Sequence, residues 1–145
     1  MKEILLTQGK VASVDDEDFE SLNAFNWYAQ KDHNTFYAAR NSPRINGKRP
    51  VIWMHRMIMN TPDGMETDHI DRNGLNNQRD NLRIVTNQQN QFNKNAKGYC
   101  FHKLTQKFQA QIRLNGKKIH LGLFETEFEA HAAYLKAKKI HHVIK

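Results

Sequence analysis

Asp68 and His69 stand side by side at the head of the run DHIDRNGLNN, which adds a glycine and three asparagines, the last of them Asn77 at its end. An imidazole titrates near neutral pH, so His69 is a side chain that can take a proton from water under ordinary conditions. A carboxylate beside it can hold a hard cation through oxygen. Among the asparagines that follow are Asn81, twelve residues beyond His69, and Asn90, twenty-one. Amide side chains tie irregular chain to its own backbone, which a long loop after a titratable pair requires. Cys100 is the only cysteine, which excludes an internal disulfide and a multi-cysteine zinc site and favours a reducing compartment.

Particular elements must position these residues. Met65–Ile70 reads as extended, Asp71–Asn81 as a loop, and Leu82–Thr86 as an alternating strand. Thr86 with Gln89 fits a capping box, which predicts a helix from Asn87 to about Lys94. The order is therefore strand, long loop, strand, helix. Upstream, Lys2–Val14 suggests a short strand pair, and the acids Asp15 to Asp18 open a helix to about Phe25. Trp27–Gln30 and Thr35–Arg40 read as strands, and Asn46-Gly47 as a tight hairpin turn into Pro50–Trp53. Met54–Met59 is open between strand and helix, and His55 within it between a packing role and a ligand or phosphate contact. Thr61–Gly64 is a turn.

The final third is a fresh unit. Gly98–His102, Lys107–Asn115 and Lys117–Phe124 read as strands, with a hairpin turn at Asn115-Gly116. Phe108, Ala110, Ile112 and Leu114 alternate with Gln109, Gln111, Arg113 and Asn115; Ile119, Leu121 and Leu123 alternate with Lys118 and His120. A second capping box, Thr126 with Glu129, starts a helix whose stripe Phe128, Ala132 and Leu135 is expected to cover the apolar face. Residues 1–50 carry seven Lys/Arg and seven Asp/Glu, residues 51–96 five and five, and residues 97–145 ten and three. The whole net charge of +7 thus falls in the last third, the pattern of a polyanion-binding module. No apolar run reaches the ~18–20 residues of a membrane span, and MKEILLTQGK lacks the apolar stretch of a secretory signal.

With Asp68-His69, Asn81 and Asn90 in this order, and with MHRMI, DHIDRNGLNN and NLRIVT framing them, residues 50–95 resemble the HNH nucleases of phage and homing type, whose core is a ββα-metal fold. The resemblance implies hydrolysis of phosphodiesters, with His69 as base and Asp68 and Asn90 as oxygen ligands to one Mg²⁺ (or Mn²⁺) ion per active site. It assigns Asn81 the task of pinning the loop so that His69 is aimed. Because neighbours on a strand face opposite sides, it also implies that the strand ends or twists between Asp68 and His69. Residues 97–143 resemble the Apetala-two-type DNA-binding domain, through Gly98, Phe108–Arg113, Asn115–Lys118, His120–Gly122 and Phe124-x-Thr126. In that family the outer face of the sheet enters the major groove; here it would carry Gln109, Gln111, Arg113, Lys118 and His120, with Lys117 on phosphate.

The expected fold is α+β: an N-terminal small α+β extension (1–50), a ββα-metal nuclease core (51–96), and a three-stranded antiparallel sheet packed on one helix (97–145). The expected function is that of a metal-dependent endonuclease on double-stranded DNA, of homing type. A monomer is expected, acting in the cytoplasm of a bacterial or phage-infected cell, with no membrane partner. A non-catalytic DNA-binding regulator on the same scaffold is the alternative, and an RNA-directed protein a third.

Overall fold

A computed structural model describes residues 1–144, and the chain divides into two compact units, Met1–Asn87 and Gln88–Lys145. In the first, β1 (Lys2–Leu5) and β2 (Val11–Val14) form an antiparallel ribbon. Helix α1 (Asp16–Asn23) follows, with Asp16, Glu17 and Asp18 in its first turn, where carboxylates oppose the positive end of the helix dipole. Strands β3 (Tyr28–Asp32), β4 (Thr35–Asn41) and β5 (Val51–Trp53) make an antiparallel sheet in that order. Asn46 and Gly47 have φ of 48° and 77°, as a two-residue turn matched to strand twist requires. Met54–Met59 is a helix, α2, and Asn60 ends it in the left-handed region. A second ribbon pairs β6 (Glu66–His69) with β7 (Leu82–Val85).

One apolar cluster unites this unit. Ile4, Val14, Leu22, Trp27 and Ala38 bury together with Met54, Ile58 and Leu82. Residues 1–50, expected as an extension, thus share their core with the segment that follows. The reason is size: neither half alone encloses enough apolar surface, and the shared cluster removes both from water.

Helix α3 (Asn87–Phe92), all but its first residue in the second unit, is shorter than expected, because the chain tightens into three-residue turns at Asn93 and Lys94. Strands β8 (Tyr99–His102), β9 (Lys107–Leu114) and β10 (Lys117–Phe124) form an antiparallel sheet with β9 central. Helix α4 (Glu127–His141) starts at the Thr126–Glu129 capping box, with both reciprocal bonds at 3.2 Å. Its buried residues are Ala130, Tyr134 and Ala137, and Tyr134 and Ala137 pack with Ile112 and Leu121. The expected stripe is therefore out of phase: Phe128 is 82% exposed and Leu135 is exposed too. A second departure lies in β10, where a bulge between His120 and Gly122 shifts the register. Leu121 turns to the core, and Leu123 comes opposite Gln109 on the polar face. Gly98, at φ +72°, lets the chain cross α4, since a Cβ there would lie 1.9 Å from the Tyr134 ring.

Candidate active site

The β6–β7 ribbon carries the chemistry-bearing pair. Its register sets Asp68 opposite Arg83 and His69 opposite Leu82, and β6 ends at His69. The loop that follows is held by amides around one carboxylate. Asn81 accepts from the Asp71 backbone N–H (3.0 Å) and donates through Nδ2 to Asp71 Oδ1 (2.9 Å) and to the Asn76 carbonyl (2.8 Å). Asp71 also accepts from the Asn73 N–H and from Asn76 Nδ2, each at 2.8 Å. Burial works to raise the Asp71 pKa, but the bonds from Asn76, Asn73 and Asn81 prevail and hold it below the usual value. The loop is also tied to the rest of the unit. Asn77 N–H donates to the Ser13 carbonyl (2.8 Å) and Gly74 N–H to Thr35 Oγ1 (3.0 Å). A Cβ on Gly74 would meet the Phe36 carbonyl at 2.4 Å, so glycine alone permits that approach.

His69 is 5% exposed. Its Nε2 lies 3.3 Å from Oδ1 of Asn77, which is fully buried. The ring centroids of Tyr37 and His55 are 5.6 Å and 5.0 Å from that of His69, and Trp53 lies 6.1 Å from His55. Strand β4 supplies Tyr37, β5 supplies Trp53 and α2 supplies His55, so three elements wall the imidazole. Burial lowers the His69 pKa, against opposing pulls from the Asn77 bond and the charges of Asp71 and Asp68. His55 is driven further, to about 3, by burial, by His69 and by Arg56. Two buried nitrogens of this cluster, His55 Nδ1 and Asn77 Nδ2, have no hydrogen-bond partner among the described residues.

Asp68 and His69 follow strand alternation. While His69 meets Asn77 and the aromatic rings, Asp68 Oδ2 accepts from Arg83 Nε (2.8 Å) and Nη2 (2.6 Å). Among the described residues no three His, Cys, Asp or Glu side chains converge as a metal site. The oxygens present suit a hard cation that keeps waters and takes substrate oxygens, although Arg83 already draws on Oδ2 of Asp68. Asn90 stands on α3, in the second unit.

In the second unit, cross-strand pairs Arg113–Lys118 and Gln111–His120 set four of the expected reading residues on one face, with Gln109 at the next alternate position. Lys117 pairs with Leu114 beside the turn and so belongs to the opposite face. A groove of about 610 Å³ within this unit is lined by Gln88, Gln91, Lys97, Gln111, Arg113 and Lys118 among others.

Sequence reasoning missed Asn77, Tyr37 and Arg83 and left His55 open. The cross-strand position of Arg83 follows from ribbon register, but Tyr37 and Asn77 reach His69 only through tertiary folding. Residues 53–92, somewhat over a quarter of the chain, match the family model described as HNH endonuclease, which supports a nuclease. No curated protein and no solved structure matches the chain.

Proposed function

We propose that this protein is a metal-dependent DNA endonuclease of the HNH homing type, cutting double-stranded DNA at positions chosen by the C-terminal sheet. The observation that carries the reading is His69, buried and held at Nε2 by Asn77, within the segment similar to HNH endonucleases. An Nε2–H donated to Asn77 leaves the lone pair on Nδ1. That nitrogen takes a proton from the attacking water as the water oxygen bonds to phosphorus and the bond to the leaving oxygen breaks. Burial keeps the imidazole neutral at neutral pH, so no deprotonation has to precede attack. Asn81 holds the loop through Asp71, and Arg83, whose Nε and Nη2 donate to Asp68, holds that carboxylate in place.

Asp68, with Asn90 as the resemblance assigns, would hold one Mg²⁺ or Mn²⁺ ion, which when bound would polarise the phosphate and stabilise the leaving oxygen. Reading would fall to Gln109, Gln111, Arg113, Lys118 and His120, whose side chains can bond base edges, with Lys117 on phosphate. Cutting and reading in one chain suit a monomer acting in the cytoplasm of a bacterial or phage-infected cell. Among the described residues no helix is long and apolar enough to cross a membrane.

One observation favours a second reading, a non-catalytic DNA-binding regulator: Asp68 Oδ2 is already taken by Arg83. Supercoiled plasmid incubated with the protein, with and without Mg²⁺, separates the two. The nuclease reading expects nicked or linear product only with the ion; binding without cleavage under either condition would establish the regulator.

A further inference from the structure

We propose that the hairpin joining β4 to β5 enters the major groove of duplex DNA beside the bond that is cut, as a contact additional to the C-terminal sheet. The inference rests on the proposed nuclease function.

The hairpin is a built object. Ser42 N–H donates to the Pro50 carbonyl at 2.9 Å, and Ile45 and Lys48 exchange two backbone bonds of 2.8 and 3.0 Å across the Asn46-Gly47 turn. Ser42 is buried, and every residue from Pro43 to Val51 is exposed. This segment carries Arg44, Lys48 and Arg49 and no acid. None of the three forms an ion pair among the described residues. Arg40, one residue before the end of β4, is used differently. Its guanidinium lies 3.9 Å from the Phe25 ring centroid and 5.5 Å from that of Trp27, which braces the base of the hairpin. An exposed cationic ribbon with isoleucine at its tip, 57% exposed, fits a polyanion with a groove better than it fits water.

Geometry favours the major groove. Paired strands lie about 4.8 Å apart, and with side chains a two-stranded ribbon fills a groove about 12 Å wide but not one about 6 Å wide. The two-residue turn fixes the ribbon before binding, so little ordering cost falls on the complex. The ribbon is rooted at the candidate active site, because Tyr37 of β4 packs on His69 and β5 runs through Trp53 into His55. From Tyr37 to Ile45 a chain at the strand rise of about 3.3 Å per residue spans about 26 Å, or roughly eight base pairs of B-DNA at about 3.4 Å each. The hairpin should therefore touch DNA within about eight base pairs of the cut.

The test uses the full chain and its Arg44→Gln/Lys48→Gln/Arg49→Gln variant, whose changes are all on exposed positions. Circular dichroism confirms that the fold is kept, and Lys31→Gln, an exposed lysine outside the hairpin, is the control. Duplex affinity is measured at several salt concentrations, and guanine N7 methylation interference maps groove contacts around the cut. We expect the triple variant to bind at least tenfold more weakly, with a salt slope shallower by up to about 2.7 log units, at ~0.9 for each phosphate no longer neutralised. Interference within eight base pairs of the cut should vanish in the variant and persist in the control. Wild-type affinity, slope and interference in the variant overturn the hairpin while leaving the nuclease reading standing. Duplex binding without cleavage sinks the nuclease reading, and the hairpin is then judged by affinity, slope and hairpin-dependent interference alone. A slope change without major-groove interference also overturns it, since phosphate contact alone is not groove entry. Absence of duplex binding by the wild type overturns both.

Discussion

His55 and His69 share one buried wall, and burial disfavours charge on each. His55, at about 3 against an ordinary 6.5, is the more extreme. Between those values the unfolded chain binds a proton that the folded chain refuses. Stability from this group is therefore full above about pH 6.5 and is lost as pH falls toward 3, at up to ~1.4 kcal/mol per pH unit. Urea unfolding of the wild type at pH 7, 5.5 and 4.5 should show that decline, and His55→Leu should flatten it; equal slopes would mean that His55 is not the sensitive group. Arg83 is a second residue with a definite cost. Its removal leaves the Asp68 carboxylate buried without its guanidinium, and since Arg83 is about a quarter exposed the loss should be ~2 kcal/mol rather than the 3–5 of a fully buried pair. Arg83→Ala should lower the unfolding midpoint accordingly and Arg83→Lys by less; an unchanged midpoint contradicts the pairing.

Strands, turns and caps obey short-range rules, and these were the legible part. The turns at Asn46-Gly47 and Asn115-Gly116 adopt positive φ at all four residues, and the Thr126–Glu129 box forms with both bonds. The phase of α4 was not legible, because Phe128 and Ala130 are equally plausible core positions until the sheet chooses one. Nor was the β10 bulge, since alternation reads straight through it. At the candidate site Asp68, His69 and Asn81 stood out by type and spacing, whereas Asn77 looked like one more turn residue. Its contact with His69 depends on the loop folding back against Ser13. Two substitutions test the elements. Thr126→Ala should cost the second unit about 1 kcal/mol through the lost cap. Gly98→Ala should cost more, ~2 kcal/mol or above, because strain at φ +72° adds to a clash with Tyr134. If the two variants melt alike, the close approach at Gly98 is wrong.

Charge is divided along the whole molecule as sharply as structure is. Residues 1–87 carry 11 Lys/Arg and 12 Asp/Glu, whereas residues 88–145 carry 11 and three. Most long-range attraction to a polyanion should therefore originate in the second unit. Arg113→Ala in the full chain should relax sequence preference by ~1–3 kcal/mol, while Lys117→Ala should weaken all duplexes alike and shallow the salt slope by about one. Binding on a specific and a scrambled duplex at several salt concentrations separates these effects, and identical behaviour of the two variants would remove the sheet as reader. Attraction and chemistry would then be distinct properties of one chain, and His69 is where the chemistry is claimed to lie. The most direct measurement compares plasmid cleavage by wild type and His69→Ala in Mg²⁺, with duplex affinity measured in parallel. A base role predicts a rate loss of ~10²–10⁴ with affinity nearly unchanged; a variant that keeps more than about a tenth of the wild-type rate would contradict it.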